Sequence, residues 1–366
     1  MKNTSKPLRC RQDSCISIEL NDLAIQKFNL GNYKQFAIDS QQEIAMKKQT
    51  GLLSRRDCLK LAGAVTLAVP LAGWAAEDLK SKAKKNLKLA IFTGVYAALL
   101  LEEAAKKIKA DGFSGVVLEY AFADVRFDPF APDWEAAKKI TSCLERNGIK
   151  VVGLYGYYNV VAPDSENRKR GEQRMQFLIE NWKRLGSHNI STETGSFNPQ
   201  SEWNDSPENA TEKAYQQCCA SLEKFAKLAE KTEAVISIEP YWKNVIGSAE
   251  RAERLFSDIR SPALKLVMDP CNYFHKAELA KMQTMLKDIF QRVGKQTVLA
   301  HAKDVKGSAN ADDTELPASG KGVLDYPLYL RLLAQLDREI YLAVEHLTLP
   351  EVPAARDYVL AQFEKI

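Results

Sequence analysis

From about residue 85 onward, the chain alternates between short apolar runs and longer amphipathic stretches. Most apolar runs are rich in Val, Ile or Leu and lack strict alternation with polar residues, which is typical of strands buried on both faces. Eight such runs predict strands, over Leu87–Thr93, Gly115–Glu119, Lys150–Leu154, Asn189–Glu193, Ala234–Glu239, Lys265–Asp269, Thr297–His301 and Tyr341–Glu345.

The amphipathic stretches between these runs predict helices. They cover Leu100–Ala110, Asp133–Asn147, Gly171–Leu185, Ala210–Lys231, Ser248–Ile259 and Tyr326–Leu336. Eight strands that alternate with helices favour an α/β fold, a (β/α)8 TIM barrel, over an open sheet. The sequence has no glycine-rich phosphate turn after the first strand and no P-loop, which an open nucleotide-binding sheet would often carry. Residues 85–366 show no break in composition, so we expect one catalytic domain.

Four polar residues stand at the ends of the last four predicted strands. They are Glu239, Asp269, His301 and Glu345, separated by 30, 32 and 44 residues. Taken singly, each is well explained by a salt bridge or a hydrogen-bonded histidine. Strand ends of a barrel converge on one mouth, however, and clustered carboxylates repel one another without a cation. The pattern therefore predicts a divalent metal site for Mn, Co, Zn, Fe or Mg, whose carboxylates can also move protons.

Other polar and aromatic residues follow the remaining strands. Glu119 and Glu193 can orient metal ligands or bind substrate hydroxyl groups, or they can form ordinary ion pairs. Tyr155, Tyr157 and Tyr158 follow the third strand, and Tyr241 and Trp242 follow the fifth. Such rings can stack on the C–H faces of a sugar, although packing at the barrel rim is the better explanation.

Composition excludes several classes of function. The 366 residues carry a net charge of +4 from 51 basic and 47 acidic side chains, so nothing favours a nucleic-acid partner. The seven cysteines form no CxxC pair, which argues against a zinc knuckle or a thioredoxin-type site, and they imply no disulfide framework.

The N-terminal part resembles an export signal. A paired arginine at Arg55-Arg56 precedes Leu59-Lys60 and a short apolar run, Leu61 to Ala76. Residues 46–76 therefore predict a twin-arginine signal peptide, the twin-arginine translocation machinery as a partner and a periplasmic location. The run is too short and too rich in Ala for a stable membrane span. The alternative is a cytosolic protein with an apolar N-terminal helix. Residues 1–45 are either a disordered extension or a mis-assigned start.

Several motifs resemble the sugar phosphate isomerase/epimerase family, the xylose isomerase-like barrels, over residues 86–362. They are Ile238-Glu239-Pro240, Met268-Asp269-Pro270-Cys271-Asn272, His301-Ala302-Lys303-Asp304, the GxGxxDY motif Gly320 to Tyr326, and Val344-Glu345. HxKD followed by GxGxxDY is the most specific part. The resemblance implies that Glu239, Asp269, His301 and Glu345 bind the metal. It also implies that the two glutamates form the acid/base pair.

The sequence departs from that family in two places. Well-studied epimerases carry a substrate-binding His three residues after the aspartate, where this chain has Asn272 and then His275. They also carry an Arg shortly after the metal-binding His, where this chain has Lys303 and Lys306. We therefore expect Asn272, His275 and Lys303 to contact substrate. For Lys303, an ion pair with Asp304 is an equal alternative.

These observations predict a metal-dependent isomerase or epimerase that acts on a small carbohydrate or polyol by proton transfer next to a carbonyl. A dehydratase or lyase acting on a keto-inositol or a 3-keto-glycoside is the nearest alternative, because its chemistry begins with the same proton removal. A non-catalytic periplasmic sugar-binding barrel is a further alternative. An endonuclease IV-like enzyme is remote, because that chemistry uses many histidines and this chain has four. Barrels of this kind often pair, so a homodimer is possible.

Overall fold

The structure is a computed structural model that describes residues 78–309 and 312–366. Within these residues, eight parallel strands close into a barrel in which each strand pairs with its sequence neighbours and β1 pairs with β8. The strands are β1 (Leu87–Phe92), β2 (Gly115–Leu118), β3 (Lys150–Tyr155), β4 (Asn189–Glu193), β5 (Val235–Glu239), β6 (Leu264–Met268), β7 (Thr297–Ala302) and β8 (Ile340–Val344). The (β/α)8 prediction is confirmed, with each strand end within one residue of its predicted position. The predicted segments 1–45 and 46–76 lie outside the described residues.

Eight helices follow the eight strands in the described part of the chain. They are α1 (Leu101–Ala110), α2 (Trp134–Arg146), α3 (Ser165–Leu185), α4 (Glu212–Thr232), α5 (Ala249–Ile259), α6 (Met282–Val293), α7 (Tyr326–Ala334) and α8 (Val352–Phe363). Helices α6 and α8 were not predicted. Helix α3 begins earlier than the predicted Gly171, because the Asp164 side chain caps it by accepting a 2.7 Å hydrogen bond from the Asn167 amide.

A helical segment over residues 78–86 precedes β1. No helix in the described ranges is both long enough and apolar enough to cross a membrane.

The barrel interior forms a small core that is distinct from the layer between strands and helices. It contains Ala90, Val117, Val267, Leu299 and Ala343, and Phe92 packs against it. Successive side chains of a strand point to opposite faces, so a residue two positions after a member of this core also points inward. Asp269, His301 and Glu345 each stand in that position. The interior core is therefore the floor on which three of the four predicted metal ligands rest.

Candidate metal centre at the barrel mouth

The structure brings together the four strand-end residues. Glu239 ends β5 and His301 lies in β7, while Asp269 and Glu345 lie one residue beyond β6 and β8. One possible ligand atom from each lies within 4.8 Å of all the others. His301 Nδ1 is 3.4 Å from Glu239 Oε1, 3.5 Å from Asp269 Oδ2 and 3.3 Å from Glu345 Oε1. Three carboxylate oxygens thus surround one imidazole nitrogen at nearly equal distances.

These spacings suit a shared cation. Ligand atoms that bind one ion at about 2.1 Å and at right angles lie about 3 Å from one another. The His301 side chain is fully buried, yet neither of its ring nitrogens has a hydrogen-bond partner among the described residues. Buried polar atoms normally have partners, so the unpartnered imidazole points to a ligand. Three carboxylates and one imidazole are a donor set for Mn, Fe, Co, Zn or Mg.

Neighbouring groups hold the cluster in place. Asn272 Nδ2 donates a 2.7 Å hydrogen bond to Glu239 Oε1, and the Tyr157 hydroxyl donates one to Glu239 Oε2. The Cys271 amide donates to Asp269 Oδ1 at 3.1 Å. The Phe92 ring packs edge-on against the His301 ring, with centroids 5.3 Å apart. The predicted position of Asn272 at the site is thus consistent with the structure, through contact with Glu239.

The backbone at the ends of β6 and β7 is fixed from outside the barrel. The Tyr329 hydroxyl, on α7, lies 3.0 Å from the carbonyl oxygens of both Met268 and His301. This contact joins the residue before Asp269 to His301 itself, so α7 sets the relative positions of two predicted ligands.

Lys303 lies inside the cluster. Its Nζ is 2.6 Å from Asp269 Oδ2, 2.8 Å from Glu345 Oε1 and 3.9 Å from Glu239 Oε1. Of the two interpretations left open for this lysine, the ion pair with Asp304 is therefore not observed.

The Asp304 carboxylate instead binds backbone amides. It accepts hydrogen bonds from Val305 and Leu324 at 2.9 Å and from Gly320 at 3.0 Å. Asp304 thus fastens the start of the loop after β7 to the GxGxxDY motif. A Cβ at Gly322 would lie 2.5 Å from Asp304 Oδ1, so that close approach requires glycine.

The positive and negative groups of the cluster shift the pKa values of one another towards the charged forms. Burial alone would raise the pKa of Glu239, but His301 and Lys303 outweigh it and lower the pKa to about 2. The pKa of Glu345 is likewise well below its ordinary value, because the same two cations outweigh burial. Burial would lower the pKa of His301, but Glu345 and Glu239 raise it well above its ordinary value. A divalent ion would take over the role of the imidazole proton, because a ligand histidine is neutral.

Glu193 is a further buried carboxyl at the mouth. It ends β4 and is the register partner of Glu239 on β5. The Ser191 and Ser237 hydroxyls, two residues before each glutamate, lie 3.0 Å apart inside the barrel, so both glutamates point inward. Glu193 is 1% exposed, and neither carboxyl oxygen has a hydrogen-bond partner among the described residues. Burial raises its pKa well above the ordinary value, with Glu202 and Glu239 adding to the effect.

Glu119 and Tyr155 lie on the opposite part of the mouth, after β2 and at the end of β3. Glu119 Oε2 accepts a hydrogen bond from the Gly94 amide, and a Cβ at Gly94 would collide with this carboxylate. Burial raises the pKa of Glu119, and Glu345 adds to it. Burial, followed by the charge of Glu119, raises the pKa of Tyr155 to about 12. These two predicted substrate-binding residues therefore share the electrostatic field of the cluster.

Trp242 and His275 line a cavity that is separate from the cluster of Glu239, Asp269, His301 and Glu345. Their rings lie 4.2 Å apart, and both residues line a cavity of about 240 Å³ together with Asn209, Asn244 and Arg251. None of the four clustered residues lines this cavity. Tyr241 is buried, with its ring 6.1 Å from that of Trp242. The substrate contacts predicted for Trp242 and His275 thus concern a neighbouring cavity rather than the metal cluster.

Residues 105–359 match the sequence profile of xylose isomerase-like TIM barrels. The chain belongs to this family. A comparison with curated protein sequences finds no match.

Solved structures of the family share the fold at low sequence identity. One is a xylose isomerase-like barrel protein from Mycobacterium smegmatis in complex with magnesium, with 14% identity and a TM-score of 0.57, covering 77% of this chain and 98% of that one. Another is the 3-keto-D-glucoside 4-epimerase YcjR from E. coli, with 17% identity and a TM-score of 0.57, covering 77% and 99%. A third is the probable 3-DHS dehydratase AsbF from Bacillus anthracis, with 14% identity and a TM-score of 0.55, covering 76% and 97%.

Tyr157, one of the three rings noted after the third strand, contacts the cluster of this xylose isomerase-like barrel directly through Glu239. Tyr155 ends β3 and Tyr157 follows it at a spacing of two, with the two rings 4.8 Å apart. That spacing was an available signal, because alternate residues share a face. Trp203, which is 46% exposed with its ring 6.3 Å from that of Tyr241, was not selected from the sequence. No periodic pattern marks Trp203, because it lies in a loop.

Proposed function

We propose that this barrel is a metal-dependent isomerase or epimerase that acts on a sugar or polyol by moving a proton next to a carbonyl. The observation that carries the proposal is the placement of Glu239 and Glu345. They come from β5 and β8, with two strands between them, yet their Oε1 atoms lie 3.4 and 3.3 Å from the same His301 nitrogen. Two carboxylates that approach one point from different strands suit proton transfer at two faces of one carbon.

The roles of the residues follow from their contacts. A bound ion would polarise the substrate carbonyl and so acidify the neighbouring C–H bond. Glu239 accepts hydrogen bonds from Asn272 and Tyr157, which keep it ionised and fix its orientation, so it is free to take the proton. The electrons of the broken C–H bond move towards the carbonyl oxygen. Glu345, once it has taken a proton from solvent water, donates that proton to the other face of the carbon, and Glu239 releases its own proton to solvent; the roles reverse in the opposite direction.

The nature of the substrate is a further part of the proposal. The twin-arginine signal predicted at residues 46–76 supports a periplasmic enzyme, and the sequence carries no P-loop for a phosphate group. We therefore propose free, unphosphorylated carbohydrates as substrates. One structural relative is the 3-keto-D-glucoside 4-epimerase YcjR, which supports 3-keto-glycosides as a class to test.

Dehydration is the second candidate, and Glu193 favours it. A buried carboxyl whose pKa is raised keeps its proton to higher pH than an ordinary glutamate and can donate that proton to a leaving hydroxyl group. Glu193 points into the barrel beside Glu239, so removal of a proton by one and donation by the other would complete an elimination of water. The structural relative AsbF is a probable 3-DHS dehydratase, which supports this candidate.

The test measures proton exchange and product together. Metal-loaded protein is incubated in deuterated water with ketoses and 3-keto-glycosides, and NMR and mass spectrometry follow the sugar. A sugar that gains deuterium and keeps all its oxygen atoms indicates isomerisation or epimerisation. A product that has lost a water molecule indicates elimination. Glu239→Gln and Glu345→Gln should abolish exchange, while Glu103→Gln, at an exposed position on α1, should not. Sugar binding without any exchange would show a non-catalytic barrel and refute the proposal.

A further inference from the structure

Lys303 and a bound metal ion would draw on the same oxygen atoms. Lys303 Nζ lies 2.6 Å from Asp269 Oδ2 and 2.8 Å from Glu345 Oε1. Those two atoms are also the ones that lie 3.5 and 3.3 Å from His301 Nδ1. Lys303 follows His301 by two residues, so both side chains point into the barrel. The ammonium group is therefore within the ligand cluster rather than beside it.

The backbone at Lys303 is held firmly, so only its side chain can respond to a change of charge. The Tyr326 hydroxyl donates a 2.8 Å hydrogen bond to the Lys303 carbonyl oxygen, and Cys271 Sγ lies 3.5 Å from it. The next residue, Asp304, donates its amide to the Pro317 carbonyl at 2.8 Å. Lysine carries a flexible four-carbon side chain, which can swing while these contacts stay intact.

The spacing of the charges, and not their sum, explains why two cations would not share these oxygens. Three ionised carboxylates and one ammonium give the cluster a formal charge of −3 + 1 = −2 with His301 neutral, which one divalent ion balances. An ion that contacts Asp269 Oδ2 and Glu345 Oε1 would also lie within a few ångströms of Nζ. Lys303 is 3% exposed, and repulsion between cations is only weakly screened at such a site.

We propose that Lys303 competes with the metal ion for Asp269 and Glu345, and that metal binding moves its ammonium group away from these oxygens towards the open side of the mouth. There it is placed to donate a hydrogen bond to a substrate oxygen. Lys303 is thus a positioning residue that couples metal occupancy to the substrate side of the site. The inference rests on the metal-binding part of the proposed function and not on the reaction.

The experiment measures Mn²⁺ affinity by calorimetry in the full chain. Lys303→Met removes the charge at similar length and should bind Mn²⁺ about tenfold more tightly than the wild type, because a competing cation is gone. Lys303→Arg keeps the charge and should bind no more tightly. Lys306→Met is the matched control, since Lys306 is exposed and pairs with Glu315 at 2.8 Å. Its affinity should equal that of the wild type.

A second readout guards against a misfolded variant. In EDTA, Lys303→Met should unfold at a lower temperature than the wild type, because three buried carboxylates lose their counter-charge. Excess Mn²⁺ should then raise its unfolding temperature by more than it raises that of the wild type. Lys303→Gln serves the same purpose if Lys303→Met does not fold.

Other outcomes separate the competition from the proposed function. Equal or weaker Mn²⁺ binding by Lys303→Met would refute the proposed competition. Lys303 would then have no effect on Mn²⁺ affinity, or it would increase that affinity by holding the ligands in place. If the wild type still exchanged substrate protons in that case, the proposed function would stand. If no variant bound Mn²⁺, Co²⁺, Zn²⁺, Fe²⁺ or Mg²⁺, both the competition and the metal-dependent reaction would be refuted.

Discussion

The Tyr157 hydroxyl donates a hydrogen bond to Oε2 of Glu239, while Asn272 donates to Oε1. Both oxygens of the proposed base are therefore fixed by neutral donors, and its orientation does not depend on the metal ligands alone. Burial, followed by the charge of Glu239, raises the pKa of Tyr157 well above its ordinary value, so the phenol stays protonated and keeps donating.

Replacing Tyr157 by Phe removes one of these donors without changing the shape of the ring. A hydrogen bond to a charged group contributes about 1.5–3 kcal/mol, so kcat should fall about 10- to 100-fold. Mn²⁺ affinity should change little, because Oε1 of Glu239, the atom nearest His301, still accepts from Asn272. Steady-state kinetics and calorimetry on Tyr157→Phe check this. Tyr358→Phe, on α8 and outside the cluster, is the control.

Glu193 predicts a pH dependence of stability. Its pKa in the folded protein is raised, so the folded state keeps a proton that the unfolded chain releases near its ordinary pKa of about 4.3. The free energy of unfolding therefore carries no penalty from Glu193 below that ordinary pKa, and it decreases as the pH rises above it.

Thermal unfolding in EDTA at pH 5 and pH 8 measures this effect. The unfolding temperature of the wild type should fall more between the two values than that of Glu193→Gln, which cannot ionise. Glu103→Gln, at an exposed helical position, should follow the wild type. An identical pH dependence in wild type and Glu193→Gln would show that Glu193 is already ionised in the folded protein.

Removing His301 should abolish metal-dependent stabilisation. A ligand that binds only the folded state stabilises it by about 2.7 kcal/mol at one hundred times its dissociation constant. The wild type should therefore unfold at a clearly higher temperature in excess Mn²⁺ than in EDTA, whereas His301→Ala should show almost no difference.

His188→Ala is the matched histidine control. The His188 ring packs edge-on against Trp182 at 5.9 Å and has no part in the cluster, so this variant should lose some stability but keep the response to Mn²⁺. A full Mn²⁺ response in His301→Ala would place the metal elsewhere.

Replacing Asp304 should destabilise the protein close to the site. Its carboxylate is buried and accepts three backbone hydrogen bonds, so Asp304→Asn places an amide group against at least one N–H donor. Loss of such contacts should lower the free energy of unfolding by about 2–3 kcal/mol. Chemical denaturation measures this, with Asp312→Asn, an exposed residue of the same loop, expected to be neutral.

The barrel and the four converging residues were predictable because they follow from periodicity. Strands buried on both faces are apolar runs, and residues at their carboxyl ends must meet at one mouth. Helix α6 carries the buried residues Met282, Leu286, Ile289 and Val293 at helical spacing, so it was also predictable although it was not predicted. Helix α8 has a proline in its first turn, and its polar and apolar residues are poorly separated onto two faces. The helical period of its apolar residues is therefore hard to recognise in the sequence.

The partners of the loop residues could not be read from spacing. The side chain of Lys303 turns to Asp269 and Glu345, although Asp304 is its neighbour in sequence. Trp242 follows Glu239 closely but faces another cavity, because the chain has left the strand and alternation no longer fixes its direction. Such contacts depend on loop conformation, which several distant backbone hydrogen bonds determine together.

The anchoring of Asp304 divides the connection after β7 into two parts. Next to His301 and Lys303, Asp304 is hydrogen-bonded to the GxGxxDY motif. The hairpin formed by Lys306–Gly307 and Thr314–Glu315 lies in the chain between these hydrogen-bonded segments. The Asp304 contacts separate that hairpin from His301 and Lys303 along the chain, although the hairpin also contacts Lys243 and Phe274. The substrate range of the proposed enzyme could therefore diversify in evolution, or be altered by loop grafting, while the proposed metal centre is kept.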